Sequence, residues 1–457
     1  MSIIKYSEKF KNSNRLLFTT PSHSQGEVIV PDSLKMLGRT VFENDYSEID
    51  GFDNLANPTG IIKDVENRIS EIYNTKASFM LLNGSTSGMI SSMLAVLKKY
   101  DKVLVARSCH ISVFKGLILS RAYPIWLMPK YNKEWGIFEP ITSEQVENAL
   151  KKNKDIKAFI MTNPTYEGLR ADTFKISQVC KKYGVILIVD EAHGALWNFE
   201  SSFGIPSINL GADITFQSLH KTAGALNPSA VMHIGHTSSV DPQLLRNSLN
   251  LISTTSPSYP LMMNIEATVE YLASHEGQKQ LHTLRDNIKD FVREIKDSPS
   301  IMIYTGNNDP TKLLIRVASL SGQELSEILS EEYNIEDELC NDKSVLFLTG
   351  IGTTKKKLTR LIKALKQISS DNITLTVSNN EQGDYSISEP RVKFSPSEIF
   401  NRKSVEVEKK NLLARIAMEP VINYPPGIPI LLPGEVIRKE HLQYIKDKET
   451  FKVLEEV

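Results

Sequence analysis

From residue 61 to about residue 220 the chain alternates short apolar runs with amphipathic stretches, and that rhythm constrains the fold more than any other feature. The runs of strand length are Ala77 to Leu82, Lys102 to Ala106, Pro124 to Met128, Ile156 to Thr162, Val185 to Val189 and Ile214 to Gln217. Between them, Asp64 to Tyr73, Met89 to Lys99, Ser112 to Ser120, Ser143 to Asn153 and Ile176 to Tyr183 read as helices. Strands that are apolar on both faces and recur every ~25 residues need helices on both sides. The pattern predicts an α/β domain built on a mostly parallel sheet.

The flanks read differently. Residues 1–60 carry turn formers at Pro21, Gly26, Pro31, Gly51, Pro58 and Gly60, and read as an extended arm with at most one short helix. Pro257 to Ser298 reads as one long connecting helix. Beyond it, Ile301 to Tyr304, Lys312 to Val317 and Ser344 to Leu348 predict strands of a smaller α+β unit. The expected division is an arm (1–60), a large domain (61–300) and a C-terminal small domain (301–457). Ser369 to Pro390 is polar and predicts an exposed excursion. Tyr424-Pro425-Pro426-Gly427-Ile428-Pro429 must be extended, because proline fixes φ and removes donors.

Composition removes several classes of function. Lys+Arg number 53 against 54 Asp+Glu, a formal net charge of −1, so no basic field awaits a nucleic acid. No apolar run reaches the ~18–20 residues of a membrane span, and the N-terminus meets a charge too early for a signal-peptide core. The three cysteines, Cys109, Cys180 and Cys340, are far apart and odd in number. They form neither a disulfide scaffold nor a zinc site, so no metal is expected and a reducing cytoplasm fits.

Three segments carry chemistry. Asn83-Gly84-Ser85-Thr86-Ser87-Gly88 lies between a strand and a helix, where hydroxyls and free helix N–H groups suit a phosphate. It lacks the lysine of a P-loop and the central serine of a hydrolase elbow, and a polar cap on a core helix would look similar. Asp190-Glu191-Ala192-His193-Gly194 follows a fully apolar strand, where open α/β sheets present residues to ligands. Ser218-Leu219-His220-Lys221-Thr222 places a lysine at the next strand end. Singly, the aspartate could cap a turn and the lysine could reach out of a loop. Together, in this order, they are what pyridoxal 5'-phosphate needs: an amine to condense with its aldehyde, a carboxylate for its ring nitrogen and a cradle for its phosphate. His110, just after another strand, could stack on the ring.

These segments resemble the Orn/Lys/Arg decarboxylase family of fold-type-I pyridoxal-phosphate enzymes over nearly the whole chain. Gln217 to Thr222 is similar to its S-x-H-K signature, Asn83 to Gly88 to its phosphate loop, and Ser108-Cys109-His110-Ile111-Ser112 to its N-C-H-K-S segment. Asp190 to Gly194 resembles D-E-A-H-G, and the tail resembles Y-P-P-G-I-P followed by P-G-E at Pro433-Gly434-Glu435. Ser47-Glu48, Asp53-Asn54-Leu55 and Pro58-Thr59-Gly60 resemble its arm. The resemblance implies Lys221 as the Schiff-base lysine, Asp190 as the pyridine partner, His110 as the stacking residue and His193 beside cofactor and substrate. Ser85, Thr86, Ser87, Ser218 and His220 become phosphate-side residues. It further implies a homodimer with interface active sites, to which Thr254 to Tyr259 contributes, and a place in polyamine biosynthesis.

The implied reaction is decarboxylation of arginine or lysine, then ornithine. For the substrate's distal cation, Asp53, Glu167 and Glu435 are available by position, Glu435 foremost, with His23 near the entrance. One departure bears on substrate choice, Pro21-Ser22-His23-Ser24-Gln25-Gly26 in place of P-G-H-K-x-G, and Asn227-Pro228 also departs from the usual T-Q. The chain also has no room for the extra N-terminal domain of the larger members, so a short form follows. The same fold hosts aminotransferases and other lyases, and Arg391 and Arg415 could serve a transaminase. A silent binding homologue is the remaining alternative.

Overall fold

The computed structural model describes residues 2–13, 15–371, 389–423, 428–445 and 449–455. The polar excursion and the proline-dense stretch fall largely outside these residues.

The alternation folds as expected. The large sheet is built from β1 (Ala77–Leu81), β2 (Lys102–Ala106), β3 (Tyr123–Leu127), β4 (Ile156–Thr162), β5 (Ile186–Asp190), β6 (Ile214–Ser218) and β7 (Ala230–Ile234). Their order across the sheet is β1-β7-β6-β5-β4-β2-β3. The neighbours from β6 to β3 are parallel, and β7 runs antiparallel to both β6 and β1. β1 therefore points the same way as β6, and the carboxyl ends of six strands share one edge. That edge receives Asn83, Arg107, Asn163, Asp190 and Ser218.

β7 escapes the sequence reading because His233 interrupts its apolar run, yet all five of its residues are buried. His233 bonds through Nδ1 to the Ser78 hydroxyl on β1 (2.8 Å) and stacks on Tyr73. Burial holds its pKa down to about 3, so it sits in the core as a neutral ring.

The arm corrects the expectation of at most one short helix. Helices form at Ile3–Lys11, Pro31–Leu37 and Arg39–Glu43. The first has Ser2 as N-cap and puts Ile3 and Phe10 on one buried face. Phe10 joins Tyr46, Phe52 and Tyr259 in an aromatic cluster, while the buried Glu266 carboxylate accepts from Ile3 and Ile4 N–H at the helix start.

The long connecting helix is two helices, Tyr259–Ala273 and His275–Lys296. Ser274 ends one by donating its N–H to Tyr271 O and starts the next by accepting from Gly277 N. A Cβ on Gly277 would lie 1.9 Å from Tyr271 O, so the tight junction needs glycine. Beyond it, Ile301–Ile303, Lys312–Val317, Val345–Leu348 and Leu339–Cys340 make an antiparallel sheet packed by Gly322–Tyr333 and Lys355–Asp371. The tail builds further small sheets, Ser404–Glu408 with Thr450–Leu454 and Val421–Asn423 with Ile428–Leu431, around Leu412, Ile437, Phe451 and Val453. No helix among the described residues is long and apolar enough to cross a membrane.

Candidate active site

Lys221 lies in the one-turn helix Leu219–Thr222 that follows β6, and its Nζ sits 2.9 Å from His193 Nε2. His193 is delivered by the turn after β5 and is 4 % exposed, and its Nδ1 has no partner among the described residues. The ring of Tyr166, from the turn after β4, packs on His193 with centroids 4.5 Å apart and lies 5.8 Å from Lys221 Nζ. Three consecutive strand ends thus meet around one amine.

The electrostatics of this cluster are those of charges short of partners. Burial pushes Lys221 below its ordinary value, with Lys312 adding to the effect and Asp190 and Glu338 opposing it. His193 is driven well below its ordinary value, first by burial and then by the nearby Lys221, Lys312, His110 and His220, so it stays neutral at physiological pH. Asp190 is buried at the end of β5, and its carboxylate accepts a single hydrogen bond among the described residues, from Ala192 N–H at 3.1 Å. Burial raises its pKa, against the pull of His110 and Lys221. A buried carboxylate without an ion-pair partner gains stability from any cation placed beside it.

His110 caps the helix Ile111–Ser120, its Nδ1 accepting from Ser112 N–H, and its ring remains open to solvent. Partial removal from water pushes it below its ordinary value, Asp190 opposes, and Lys221 and Lys115 add. On the other side, the Ser85 and Ser218 hydroxyls meet at 2.7 Å, joining the first turn of the helix Gly84–Val96 to the end of β6. Thr86 is half-buried in the same turn. His220 donates from Nδ1 to Ser229 O (3.0 Å), which leaves Nε2 as an acceptor.

Other expected residues are placed elsewhere. Ser87 is buried and donates its hydroxyl to Gly84 O (2.7 Å), turning it into the helix. Tyr259 is fully buried, donating to Phe52 O and Asp53 O, while Thr254 and Thr255 line a cavity with Asn83 and Ser87. His23 pairs with Asp45 (3.3 Å) and packs its edge on Phe42, all within the arm. Asp53 caps the helix Ile61–Tyr73, accepting from Thr59, Gly60 and Ile62 N–H. Glu167 is 2 % exposed, and burial raises its carboxyl to about 7. Arg391 and Arg415 flank the tail segment, their carbonyls accepting from Val436 and Ile437.

Glu435 is the clearest correction. Both of its oxygens grip Arg107, at 2.7 and 2.8 Å, and Oε2 also accepts from Leu432 N–H at 2.9 Å. Arg107 itself is fully buried just after β2, stacks over Trp126 and donates to Ile430 O. This pair anchors the tail to the sheet and leaves no open anion. Sequence reasoning missed Arg107, Lys312 and Glu338. The first two are buried cations, and a buried cation has no signature in a single sequence. Glu338 accepts from the Tyr166 hydroxyl, and nothing in its local motif points to the strand ends.

The residues fit pyridoxal 5'-phosphate: an amine with lowered basicity, a buried carboxylate with no ion pair and an imidazole nitrogen with no partner among the described residues, and a hydroxyl pair at a helix N-terminus. Fold and site together define a fold-type-I architecture, a mostly parallel sheet that brings a lysine to its carboxyl edge. The comparisons narrow this to a family. Residues 2–308 match the Orn/Lys/Arg decarboxylase major domain and residues 385–454 its C-terminal domain. The chain belongs to the Orn/Lys/Arg decarboxylase family. It is 29 % identical to an arginine decarboxylase of Halalkalibacterium halodurans over 444 residues, covering 95 % of this chain and 90 % of that one. It is 30 % identical to an arginine decarboxylase of Bacillus anthracis over 448 residues, with the same coverage. Its fold is similar to the solved constitutive lysine decarboxylase of Escherichia coli, with a TM-score of 0.84 at 18 % identity, covering 99 % of this chain and 82 % of that one.

Proposed function

We propose that this chain is a pyridoxal 5'-phosphate-dependent decarboxylase of basic amino acids, with arginine or lysine ahead of ornithine, working as a homodimer. The observation that carries the reading is the buried Lys221–His193 contact beside an Asp190 carboxylate that has no ion-pair partner among the described residues. When bound, the cofactor supplies an electron sink for the pair left on the substrate's α-carbon as CO2 departs.

The chain's own residues do the rest. Lowered basicity leaves more of the Lys221 amine neutral and nucleophilic near pH 7. Asp190 would lie against the ring nitrogen and hold a proton there, the added positive charge drawing its pKa back down. His110 would cover one ring face. Ser85, Thr86, Ser218 and the first-turn N–H groups would hold the phosphate, with His220 alongside. His193 Nε2, 2.9 Å from Lys221 Nζ, would take or return a proton there, and its Nδ1, without a partner among the described residues, would serve the substrate.

The substrate's distal cation supplies orienting energy when it meets a carboxylate. With Glu435 held by Arg107, Glu338 becomes the candidate: it is exposed, oriented by Tyr166, and its charge reaches Lys221. The relatives named arginine decarboxylases favour arginine first. The deciding experiment supplies cofactor-loaded protein with arginine, lysine and ornithine separately and measures CO2, amine and keto acid. The reading expects CO2 and amine from arginine or lysine. Keto acid alone, or no product with the cofactor fully bound, overturns it.

A further inference from the structure

Lysine is rarely buried, because taking its ammonium out of water costs more than one hydrogen bond returns. Lys312 is nonetheless 1 % exposed. It begins the strand Lys312–Val317 in the C-terminal sheet, and its Nζ reaches into the large domain. There it donates to the main-chain carbonyl of His193 (3.2 Å) and to Thr311 Oγ1 (3.0 Å), with Asp309 Oδ2 at 3.5 Å. Asp309 is itself fixed by Trp197 Nε1 (2.9 Å) and by the N–H and hydroxyl of Thr311. Gly168, at φ +97°, makes room for the lysine stem: a Cβ there would sit 2.6 Å from Lys312 Cβ and Cγ. The turn carrying Tyr166 is thus shaped around this side chain.

We propose that Lys312 is a positioning residue of the active site, which fixes His193 against Lys221 and ties that contact to the seating of the C-terminal sheet on the large domain. The contact it grips lies on the residue whose imidazole meets Lys221 at 2.9 Å. Its charge acts in the same direction as its geometry. The groups facing His193 are Lys221, Lys312, His110 and His220, with the Tyr166 ring packed on it, and Asp190, Glu338 and Lys312 bear on Lys221. Lys312 helps keep His193 neutral, so the imidazole can accept a proton from Lys221. A neutral side chain at position 312 would free the His193 loop and raise the pH at which His193 takes up its proton. The proposal deepens the decarboxylase reading and rests on it for the activity arm of the test.

The test compares Lys312→Met/Asp309→Asn, which removes both members of the ion pair, with Gly168→Ala, which crowds the lysine stem and leaves every ionisable group in place. The first readout is side-chain NMR titration of His193 in cofactor-free protein. The second is the pH dependence of the visible absorbance of the loaded protein, and the third is kcat and KM on arginine and lysine. The double variant should titrate His193 and the absorbance at higher pH than wild type. Its kcat should fall about 10- to 100-fold, the loss expected for a hydrogen bond from a charged donor, with KM changing less than about threefold. Gly168→Ala should lower kcat in the same sense. A folded variant with the wild-type titration and kcat overturns the proposal and leaves Lys312 a structural ion pair. If the double variant does not fold, an unchanged kcat in Gly168→Ala overturns it equally. A wild-type protein that releases no CO2 from any basic amino acid sinks the decarboxylase reading, while the His193 titration still decides the role of Lys312.

Discussion

Asp190 and Glu435 are both buried carboxylates at the sheet's carboxyl edge, and they are satisfied to very different degrees. Glu435 has a two-pronged Arg107 partner and a main-chain N–H, and its chemistry is used up in holding the tail. Asp190 has one main-chain N–H and a raised pKa. His193, beside it, has one ring nitrogen on Lys221 and the other on nothing described. A saturated buried charge is architecture; an unsaturated one keeps the capacity to bind something else. Burial alone does not distinguish the two.

The largest test of this contrast is Asp190→Asn, which keeps the shape and removes the charge. Decarboxylation should fall by about 10²–10³ or more, the scale of losing one preorganised charge contact at a reacting group. Melting temperature should change little, since Asp190 has no ion pair among the described residues to break. A near-normal rate would mean that another group fills the role.

Glu435→Gln should behave in the opposite way. It leaves Arg107 buried without its anion, which should cost about 3–5 kcal/mol of stability, measured by denaturant unfolding, with KM unchanged in the folded fraction. Glu338→Gln should instead raise KM for arginine or lysine and leave stability nearly untouched. If the two variants exchanged these effects, the placement of the distal cation at Glu338 would be wrong.

The smallest expected effect concerns Glu167. Folding raises its carboxyl from an ordinary 4.5 to about 7, so the folded chain keeps a proton that the unfolded chain releases. Between those values the native state binds more protons, and this group makes stability fall as pH rises, then stay level above pH 7. Glu167→Gln removes that slope, worth at most about 3 kcal/mol. Unfolding at pH 5 and pH 8 checks it: relative to wild type, the variant should be better placed at pH 8. An equal difference at both pH values would mean that Glu167 is ionised in the folded state throughout.

Much of the architecture was legible because apolar runs of strand length have few other uses. Six of the seven large-sheet strands, and the motifs at their ends, stand out in the sequence in that way. β7 does not, because His233 looks polar until Ser78 and Tyr73 are known to receive it. The arm helices are obscured by Pro21 and Gly26 between them and by Pro31, which opens one of them. Ser274 was missed as a break because one serine serves as cap for two helices. Within the site, Lys221 and Asp190 are legible from strand-end position, whereas His193 enters only through the family resemblance. Glu435 looks open in the sequence because its motif carries no sign of Arg107, which is 328 residues away. Lys312 looks like an ordinary strand residue for the same reason: the His193 carbonyl it grips lies 119 residues away, and only the tertiary structure brings the two together.

A cofactor held at the unsaturated cluster would be held through Lys221. Loaded protein should be yellow, and borohydride reduction should fix the cofactor irreversibly and bleach that colour. Digestion and peptide mapping should then find the reduced adduct on the peptide containing Lys221, and Lys221→Ala protein should yield none. An adduct on any other lysine, or an unchanged adduct in Lys221→Ala, would mean that Lys221 is not the residue that holds the cofactor.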